Sequence, residues 1–553
     1  MKNKLKKIVI AFILFISIYN LSLAQVENVP IVNPVYDFLL RSETKGYLPN
    51  FSLSQLPLQR KKIVEALKLV REHEDNLTNA ERKILEQFEL EFEIQKPETA
   101  VLFYSESDTN QVFSKKMFSN CEKSFYRYRS NDSTKAITSV TFDPIAGLDF
   151  LYKFDNNNKN NNLLIGTLGG RLFGTLTSHL GYYLQITNAA MLYGNDSLAL
   201  LDKKYFNNNK FRKLNSDADI SESHVAFEYD WFYSSIGRET RLEGAGLSQR
   251  IFVNNLSPAF DAITLAARFS NFEYKFSHNS LLNFPVASDM GYATVIPPKY
   301  VAMHTFSFRP TWGEINLFES VIYTRELDLA YLNPLSFLKS LEHSQHDRDN
   351  SGMGISGVFR PMKNLQLKAS WFLDDIIISK IGTGFWSNKT AWNIAGIVAL
   401  PNNLDIGIEY TRVEPYTYSH FNPQNSNVND SILFSSMISP NSDRLTALFQ
   451  FWYGERYPLK LSINYTRHGA NIYDESGELI FNAGGDPLQS IRWGKDSEKV
   501  NFLDGNLEKI FAIELSTGIE IIRGFNIQFY YNFQRKNKEN LNVGRIIFRF
   551  NDF

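Results

Sequence analysis

From about residue 147 onward, hydrophobic and polar positions alternate with a period of two. Leu404, Ile406, Ile408 and Tyr410 alternate with Asp405, Gly407, Glu409 and Thr411. Leu459, Leu461, Ile463 and Tyr465 alternate with Lys460, Ser462, Asn464 and Thr466, and 525–533 repeats the pattern with amides at most of its even positions. Consecutive side chains on a strand point to opposite faces, so each stretch has one apolar and one polar face. A soluble β-sandwich would alternate in the same way. Two features favour a barrel in a bilayer. The stretches reach about ten residues, the length a tilted strand needs to cross lipid. Their connections also alternate between short and long.

Short turns are expected near Gly174, Asp230, Asn271, 310–313, 361–364, 401–403, 454–458 and 523–524, all rich in turn-forming residues. These hairpins, with a first strand at 147–154 and a last at 542–550, predict an all-β transmembrane barrel of roughly eighteen antiparallel strands over 137–553. An even count returns both chain ends to one side, and closure leaves no unpaired edge in lipid. Long connections are expected at 155–162, 189–222, 240–262, 280–299, 326–351, 374–389, 412–443, 469–509 and 534–541. Short turns in the periplasm and long loops outside is the usual arrangement.

Residues 34–96 follow a different period. Ile63, Ala66, Leu67 and Val70 form one helical stripe, and Ile84, Leu85, Phe88 and Phe92 form a second. Thr78-Asn79-Ala80-Glu81 is a capping box, in which the threonine hydroxyl takes an orphan helix amide and the glutamate reaches back. A further short helix is expected over 36–41. Apolar stripes must be covered. Either the helices pack on one another as a small periplasmic bundle, or they close the barrel mouth. Residues 97–136 read as an irregular link, so 25–136 forms the helical segment and linker.

The first residues add a compartment. Lys2, Lys4, Lys6 and Lys7 precede a short apolar run, 8–18, and Ser22-Leu23-Ala24 offers small residues for cleavage. This predicts a signal peptide over 1–24 and an exported protein. Its removal takes four lysines and no acid, so the formal charge moves from −1 to −5. A mildly acidic chain offers no electrostatic reason to bind nucleic acid. The single cysteine, Cys121, can close no internal disulfide and no thiolate zinc site. The chain ends in Phe553, out of phase with Gly544, Ile546, Phe548 and Phe550, so an aromatic assembly signature at the terminus is incomplete.

The long loops carry aromatic residues for sugar faces and planar polar groups for hydroxyls and acids. The candidate glycan-binding residues are Arg238, Glu239, Arg241, Asp374, Asp375, Trp386, Arg412, Tyr416, Asp443 and Trp493. Each has a plainer reading: aromatics at strand ends form interfacial girdles, and charges in a barrel pair to hold loops folded. Asp374 and Asp375 are adjacent on a strand and point to opposite faces, which does not suit a glycosidase pair. His343, His346 and Asp347 read as an exposed polar loop rather than a metal site. No catalytic residues, metal or cofactor are expected. No nucleophile elbow, phosphate loop or His-Glu-x-x-His is present.

The order of motifs resembles the Wzi-type capsule assembly family of the outer membrane, in its Bacteroidetes-like branch. Tyr36-Asp37-Phe38-Leu39-Leu40-Arg41 and Pro57-Leu58-Gln59-Arg60 are similar to the family's helical opening. Gly237-Arg238-Glu239, Gly244-Ala245-Gly246, Asn254-Asn255 and Pro258 follow in order. So do Asn333-Pro334, Asp349-Asn350, Phe372-Leu373-Asp374-Asp375, Glu409-Tyr410-Thr411, Glu414-Pro415-Tyr416 and Pro440-Asn441-Ser442-Asp443. Glu243 and Ala245 stand where the family's Trp-Gly-Pro-Gly stretch has tryptophan and proline. The resemblance implies an eighteen-strand barrel with a periplasmic helical bundle, acting as a lectin for capsular or other surface polysaccharide. Its other partners would be outer-membrane lipid and the barrel-assembly machinery. Two alternatives stay open: a channel for small solutes or lipids, and an outer-membrane hydrolase with a Ser or Asp beside His224, His304 or His468.

Overall fold

A computed structural model describes residues 25–92, 100–106, 109–111, 123–129, 138–154, 161–214, 217–287 and 294–552. The expected signal peptide, Cys121 and Phe553 lie outside these.

Eighteen antiparallel strands close into one barrel. They are β1 Ser139–Lys153, β2 Asn162–Leu176, β3 Leu180–Gly194, β4 Ala218–Tyr229, β5 Phe232–Glu239 and β6 Phe260–Phe269. Then come β7 Phe272–Leu281, β8 Lys299–Phe308, β9 Gly313–Tyr323, β10 Asn350–Met362, β11 Leu365–Asp375 and β12 Lys389–Ala399. The last are β13 Leu404–Val413, β14 Ser442–Phe451, β15 Leu459–Ala470, β16 Asn506–Ile522, β17 Phe525–Lys536 and β18 Glu539–Phe550. Closure joins β18 to β1, from Val543↔Lys153 to Phe550↔Ala146. The expected fold class and strand number are borne out.

The period-two pattern becomes two surfaces. On β13, Asp405, Glu409 and Thr411 are buried inward while Ile406 and Ile408 are exposed outward. Leu168, Ile186, Ile236, Leu317 and Ile394 continue that exposed apolar belt on other strands. Water-facing apolar patches seldom exceed roughly a few hundred Å², and outward apolar positions on a closed antiparallel barrel are the pattern of transmembrane barrels.

Four expectations need correction. Residues 97–136 are not an irregular link throughout, because Ala100–Glu106 and Lys123–Arg129 are strands and 126–129 pairs with the start of β1. Gly174 is not a turn; it stays paired between Val140 and Tyr182, and the turn falls at 177–179. Glycine there permits close strand approach, since a Cβ would lie 2.1 Å from Ser139 O. The last outer connection is not the long loop 534–541 but a tight turn, because Lys536↔Glu539 and Arg535↔Asn540 are paired. A strand end that is polar on both faces reads like a loop. The first strand likewise begins at Ser139, ahead of the expected 147.

Three helices precede the barrel: α1 Val35–Thr44, α2 Arg60–Arg71 and α3 Asn79–Glu91. The capping box forms, with Glu81 N donating to Thr78 Oγ1 at 3.2 Å and Thr78 N donating to Glu81 Oε2 at 2.8 Å. Phe38, Ile63, Leu67, Ile84 and Phe88 make the shared core. Trp452, from the β14–β15 turn, enters that core edge-on to Phe38, with ring centroids 6.1 Å apart. The helices therefore seat on the short-turn mouth as well as on each other. Ion pairs link them to the wall: Lys61 with Glu228, Lys62 with Glu273, Glu43 with Arg360, Arg41 with Asp405, Asp37 with Lys460, and Glu91 with Arg456.

Candidate functional site

The lumen is packed by two of the long loops. Residues 240–259 descend from β5 until Leu242–Glu243 pairs with Gln55–Leu56, just ahead of α2. Successive amides of Leu247, Ser248 and Gln249 donate to the Glu409 carboxylate at 2.7, 2.8 and 3.0 Å. Such a run of N–H groups forms an anion nest, here filled by a side chain of the wall. Phe252 then stacks on Phe318, with centroids 4.7 Å apart and planes at 9°. The loop 414–441 covers it: Asn254 N donates to Phe434 O at 2.9 Å, Ser435 Oγ to Phe252 O at 2.6 Å, and Tyr418 OH to Ile251 O at 3.2 Å. The altered Gly-rich stretch has a local explanation. Ala245 N donates to Ser370 Oγ at 2.9 Å and its carbonyl accepts from the same hydroxyl at 2.7 Å. Proline at 245 could not make the first bond.

The other long loops bring three predicted residues together. Trp386 lies edge-on to Tyr416 (5.9 Å, 78°) and to Trp493 (5.5 Å, 86°). Trp386 N donates to Glu498 O at 2.9 Å, which ties loop 376–388 to loop 471–505. Tyr416 is fully buried; its hydroxyl donates to Asn482 O at 3.0 Å, and its backbone sits at φ 62°. That left-handed conformation costs a non-glycine residue about 1–2 kcal/mol. Gly484 makes room for it, because a Cβ there would lie 2.6 Å from the Tyr416 ring. Trp493 is 68% exposed, so one face of the cluster is open.

Polar groups frame the cluster. Arg492 Nη2 pairs with Asp496 at 2.7 Å, and Asn482 Nδ2 donates to Asp496 at 2.9 Å. Burial alone would raise the Asp496 carboxyl, but the Arg492 bonds hold it below the usual carboxylate range. Lys389 Nζ lies 5.5 Å from the Trp386 ring centroid, and Lys380 Nζ lies 3.5 Å from that of Phe385. The Trp386 Nε1 donor is buried without a partner among the described residues. Aromatic rings with planar donors and acceptors at their rim are the groups that grip sugar faces and hydroxyls. Phe385, Lys380, Lys389, Asn482 and Asp496 were not singled out from sequence. Only the four-residue spacing of Arg492 and Asp496 signals one of these contacts.

The other predicted residues lie apart from the cluster. Asp374 faces inward and accepts from Tyr418 N at 2.6 Å, whereas Asp375 accepts from Ser387 Oγ at 2.6 Å. Their opposite faces follow the strand period. Glu239 is buried in the lumen, bonded by Asn28 Nδ2 at 3.0 Å and Arg241 Nη2 at 2.8 Å. Arg238 points outward to Asp261 at 3.2 Å. Arg412 is held by Glu414 at 2.6 Å, and Asp443 accepts from Tyr410 OH at 2.9 Å and Arg467 Nε at 3.0 Å.

The histidines named for a hydrolase were located too. His224 accepts from Asn28 N at 2.9 Å, and His304 lies 2.8 Å from Glu319. Ser442 Oγ and His468 Nδ1 are 2.8 Å apart, as direct cross-strand partners. Ser442 is 1% exposed and also bonds Pro440 O at 3.3 Å, so its oxygen is closed to a substrate carbonyl. Glu342, His343 and Asp347 cluster closely enough to hold a cation, but His343 and Asp347 are exposed and the buried Glu342 is already met by Ser351 Oγ at 3.1 Å and Lys339 Nζ at 3.7 Å.

A closed barrel with two loops packed into its lumen and an aromatic cluster on its other loops is the class that this fold and site define. No family model matches the chain, and no curated protein matches it in sequence. Among solved structures it is similar to Wzi of Escherichia coli, described as a carbohydrate-binding β-barrel and an outer-membrane protein involved in group 1 capsule assembly. The identity is 10%, the TM-score 0.55, and the overlap covers 94% of this chain and 98% of that one. Overlaps with OprD of Pseudomonas aeruginosa (11% identity, 74% and 92% covered, TM-score 0.42) and a BenF-like porin of Pseudomonas fluorescens (8%, 74% and 98%, 0.43) are looser. The likeness to Wzi is one of fold.

Proposed function

We propose that this protein is an outer-membrane, lectin-like barrel that binds surface or capsular polysaccharide and anchors it or helps assemble it at the cell surface. The carrying observation is the platform of Trp386 and Trp493, backed by the buried Tyr416 and set on loops apart from the packed lumen. The Wzi-like fold supports the same reading. A rigid barrel with buried, mutually bonded loops is preorganised to hold a chain without spending affinity on loop ordering.

A glycan array with the refolded protein tests it directly. Binding to a surface polysaccharide, lost on Trp386→Ala with Trp493→Ala, is expected. An array without binding would overturn the reading. In cells, loss of the protein should leave polysaccharide made but shed into the medium, and unchanged cell-associated polysaccharide would count against it. The channel reading predicts stepwise conductance in planar bilayers, whereas the loops packed across the lumen predict silence.

A further inference from the structure

Another site lies on the outer face of the barrel, apart from the platform. Near their long-loop ends, β15, β16 and β17 each carry an outward basic residue at the head of an apolar column. Arg467 follows Ile463 and Tyr465, Lys509 precedes Phe511 and Ile513, and Arg535 follows Tyr531 and Phe533. Parity puts each set on one face, and Tyr465, Phe511 and Tyr531 are exposed there. Arg467 lies directly opposite Lys509, and Arg535 lies opposite Phe511, the next outward residue below Lys509. Neighbouring strands are roughly 5 Å apart, so the three cations form one row where the apolar wall stops.

Two of these charges are unmatched. Arg467 Nε donates to Asp443 at 3.0 Å. Lys509 and Arg535 are exposed and have no acidic partner among the described residues. Arg535 Nε meets only the Asn537 carbonyl, at 3.4 Å. The acids next to them point the other way: Glu508 pairs with the inward Lys536 at 2.9 Å, and Glu539 stands opposite Lys536. Outward cations on other strands are answered, Arg238 by Asp261 at 3.2 Å and Arg412 by Glu414 at 2.6 Å. The whole chain carries a formal charge of −1, so the row is a local feature and not a general basicity.

Below the row the same wall holds an apolar trough of about 470 Å³. Tyr152, Phe154, Leu515, Phe529 and Tyr531 line it beside the outward Gly544. Glycine leaves the trough unfilled, since a Cβ there would already lie 3.1 Å from the Phe154 ring. Tyr531 is four residues below Arg535, roughly 13 Å along the strand, a distance that a fatty acyl chain spans. A free anion would use the row and leave the trough empty. An anionic head with an apolar tail uses both.

We infer that Lys509 and Arg535, with Arg467 beside them, bind the phosphate of an anionic membrane lipid whose acyl chain lies in the trough at Gly544. The inference rests on the barrel standing in a membrane and is independent of the glycan platform.

The test uses the full-length refolded protein in detergent micelles. It is titrated with phosphatidylglycerol, phosphatidylcholine and inorganic phosphate, and retained lipid is counted by native mass spectrometry. Phosphatidylglycerol should bind at least about tenfold more tightly than phosphatidylcholine, and added salt should erode the difference. Lys509→Gln with Arg535→Gln should bring phosphatidylglycerol down to the phosphatidylcholine level, while Lys509→Arg keeps the preference. Gly544→Val, which fills the trough, should weaken phosphatidylglycerol with the basic row intact. Equal retention of the two lipids by the native protein, or a preference that survives the double variant, would overturn the inference. Full affinity in Gly544→Val would overturn the seating of the acyl chain. Competition by inorganic phosphate at matching concentration would overturn the lipid assignment, as the mark of a simple anion site. Failure to insert into phosphatidylcholine vesicles would sink the membrane reading itself, whereas insertion without lipid preference sinks only this site.

Discussion

Arg41, on the first helix, and Asp405, on the inward face of β13, form an ion pair whose side chains are only 1% and 2% exposed. Arg41 Nε also meets Glu81 at 2.7 Å, and Asp405 accepts from Trp452 Nε1 at 2.7 Å. One guanidinium thus joins the capping box of α3 to the wall of the barrel. Removing one partner of a buried pair leaves the other charge stranded, at a cost of about 3–5 kcal/mol. Arg41→Ala should lower the urea midpoint of the helical unit and expose it to protease. An unchanged midpoint would show that the helices are held without this pair.

Glu409 holds loop 240–259 through three backbone amides and also accepts from Asn393 Nδ2 at 2.9 Å. Glu409→Ala leaves those amides without an acceptor, a loss on the order of 3 kcal/mol. The loop should loosen and stepwise conductance should appear in planar bilayers that are silent with the native protein. Continued silence would mean that the apolar packing around Phe252 seals the lumen unaided.

Trp493 offers a separation of stability from affinity. It is 68% exposed and touches Trp386 only edge-on. Trp493→Ala should change stability by no more than about 0.5 kcal/mol yet weaken polysaccharide binding about tenfold. Calorimetric melting and a binding titration on the same preparation check both parts. A drop in melting temperature that accompanies the loss would make the residue structural.

Glu91, at the end of α3, supplies a pH window. Burial would raise its carboxyl, but Arg456 at 2.8 Å and Arg523 at 3.4 Å outweigh that and hold it down to about 2. A carboxylate lowered in the folded state stabilises it fully above the ordinary value of 4.5 and loses that contribution as pH falls toward about 2. The hydrogen-exchange protection factors of α3, taken relative to the intrinsic rate at each pH, should therefore fall on acidification from about pH 6 to about pH 3. Glu91→Gln should flatten that dependence, and an identical profile in the variant would assign it to other groups.

The residues differ in how far local pattern reveals them. Leu404 to Thr411 shows its two faces in the sequence because side-chain direction on a strand depends only on parity. Thr78 and Glu81 show their cap because both partners lie within one helical turn. Arg535 to Asn540 deceived the same reasoning: both faces of the hairpin are polar and exposed, and paired strand and loop share one composition. The meeting of Trp386, Tyr416 and Trp493 was not legible, since they come from three loops whose paths are set by contacts such as Trp386 N to Glu498 O. Arg412 and Asp443 belong to the same inventory, yet the fold gives them to Glu414 and Arg467.

Sequence alone determined the alternation, the strand number, the helix cap and the order of motifs, all of which rest on short-range periodicity and backbone chemistry. Tertiary structure decided that the helices seat on the short-turn mouth, that loops 240–259 and 414–441 pack the lumen, and that three aromatics out of ten candidate residues form one cluster, with Tyr416 buried beneath Trp386 and Trp493. These outcomes depend on contacts across the barrel, such as Glu409 with Leu247, where partners far apart in the chain must each satisfy buried polar groups at once.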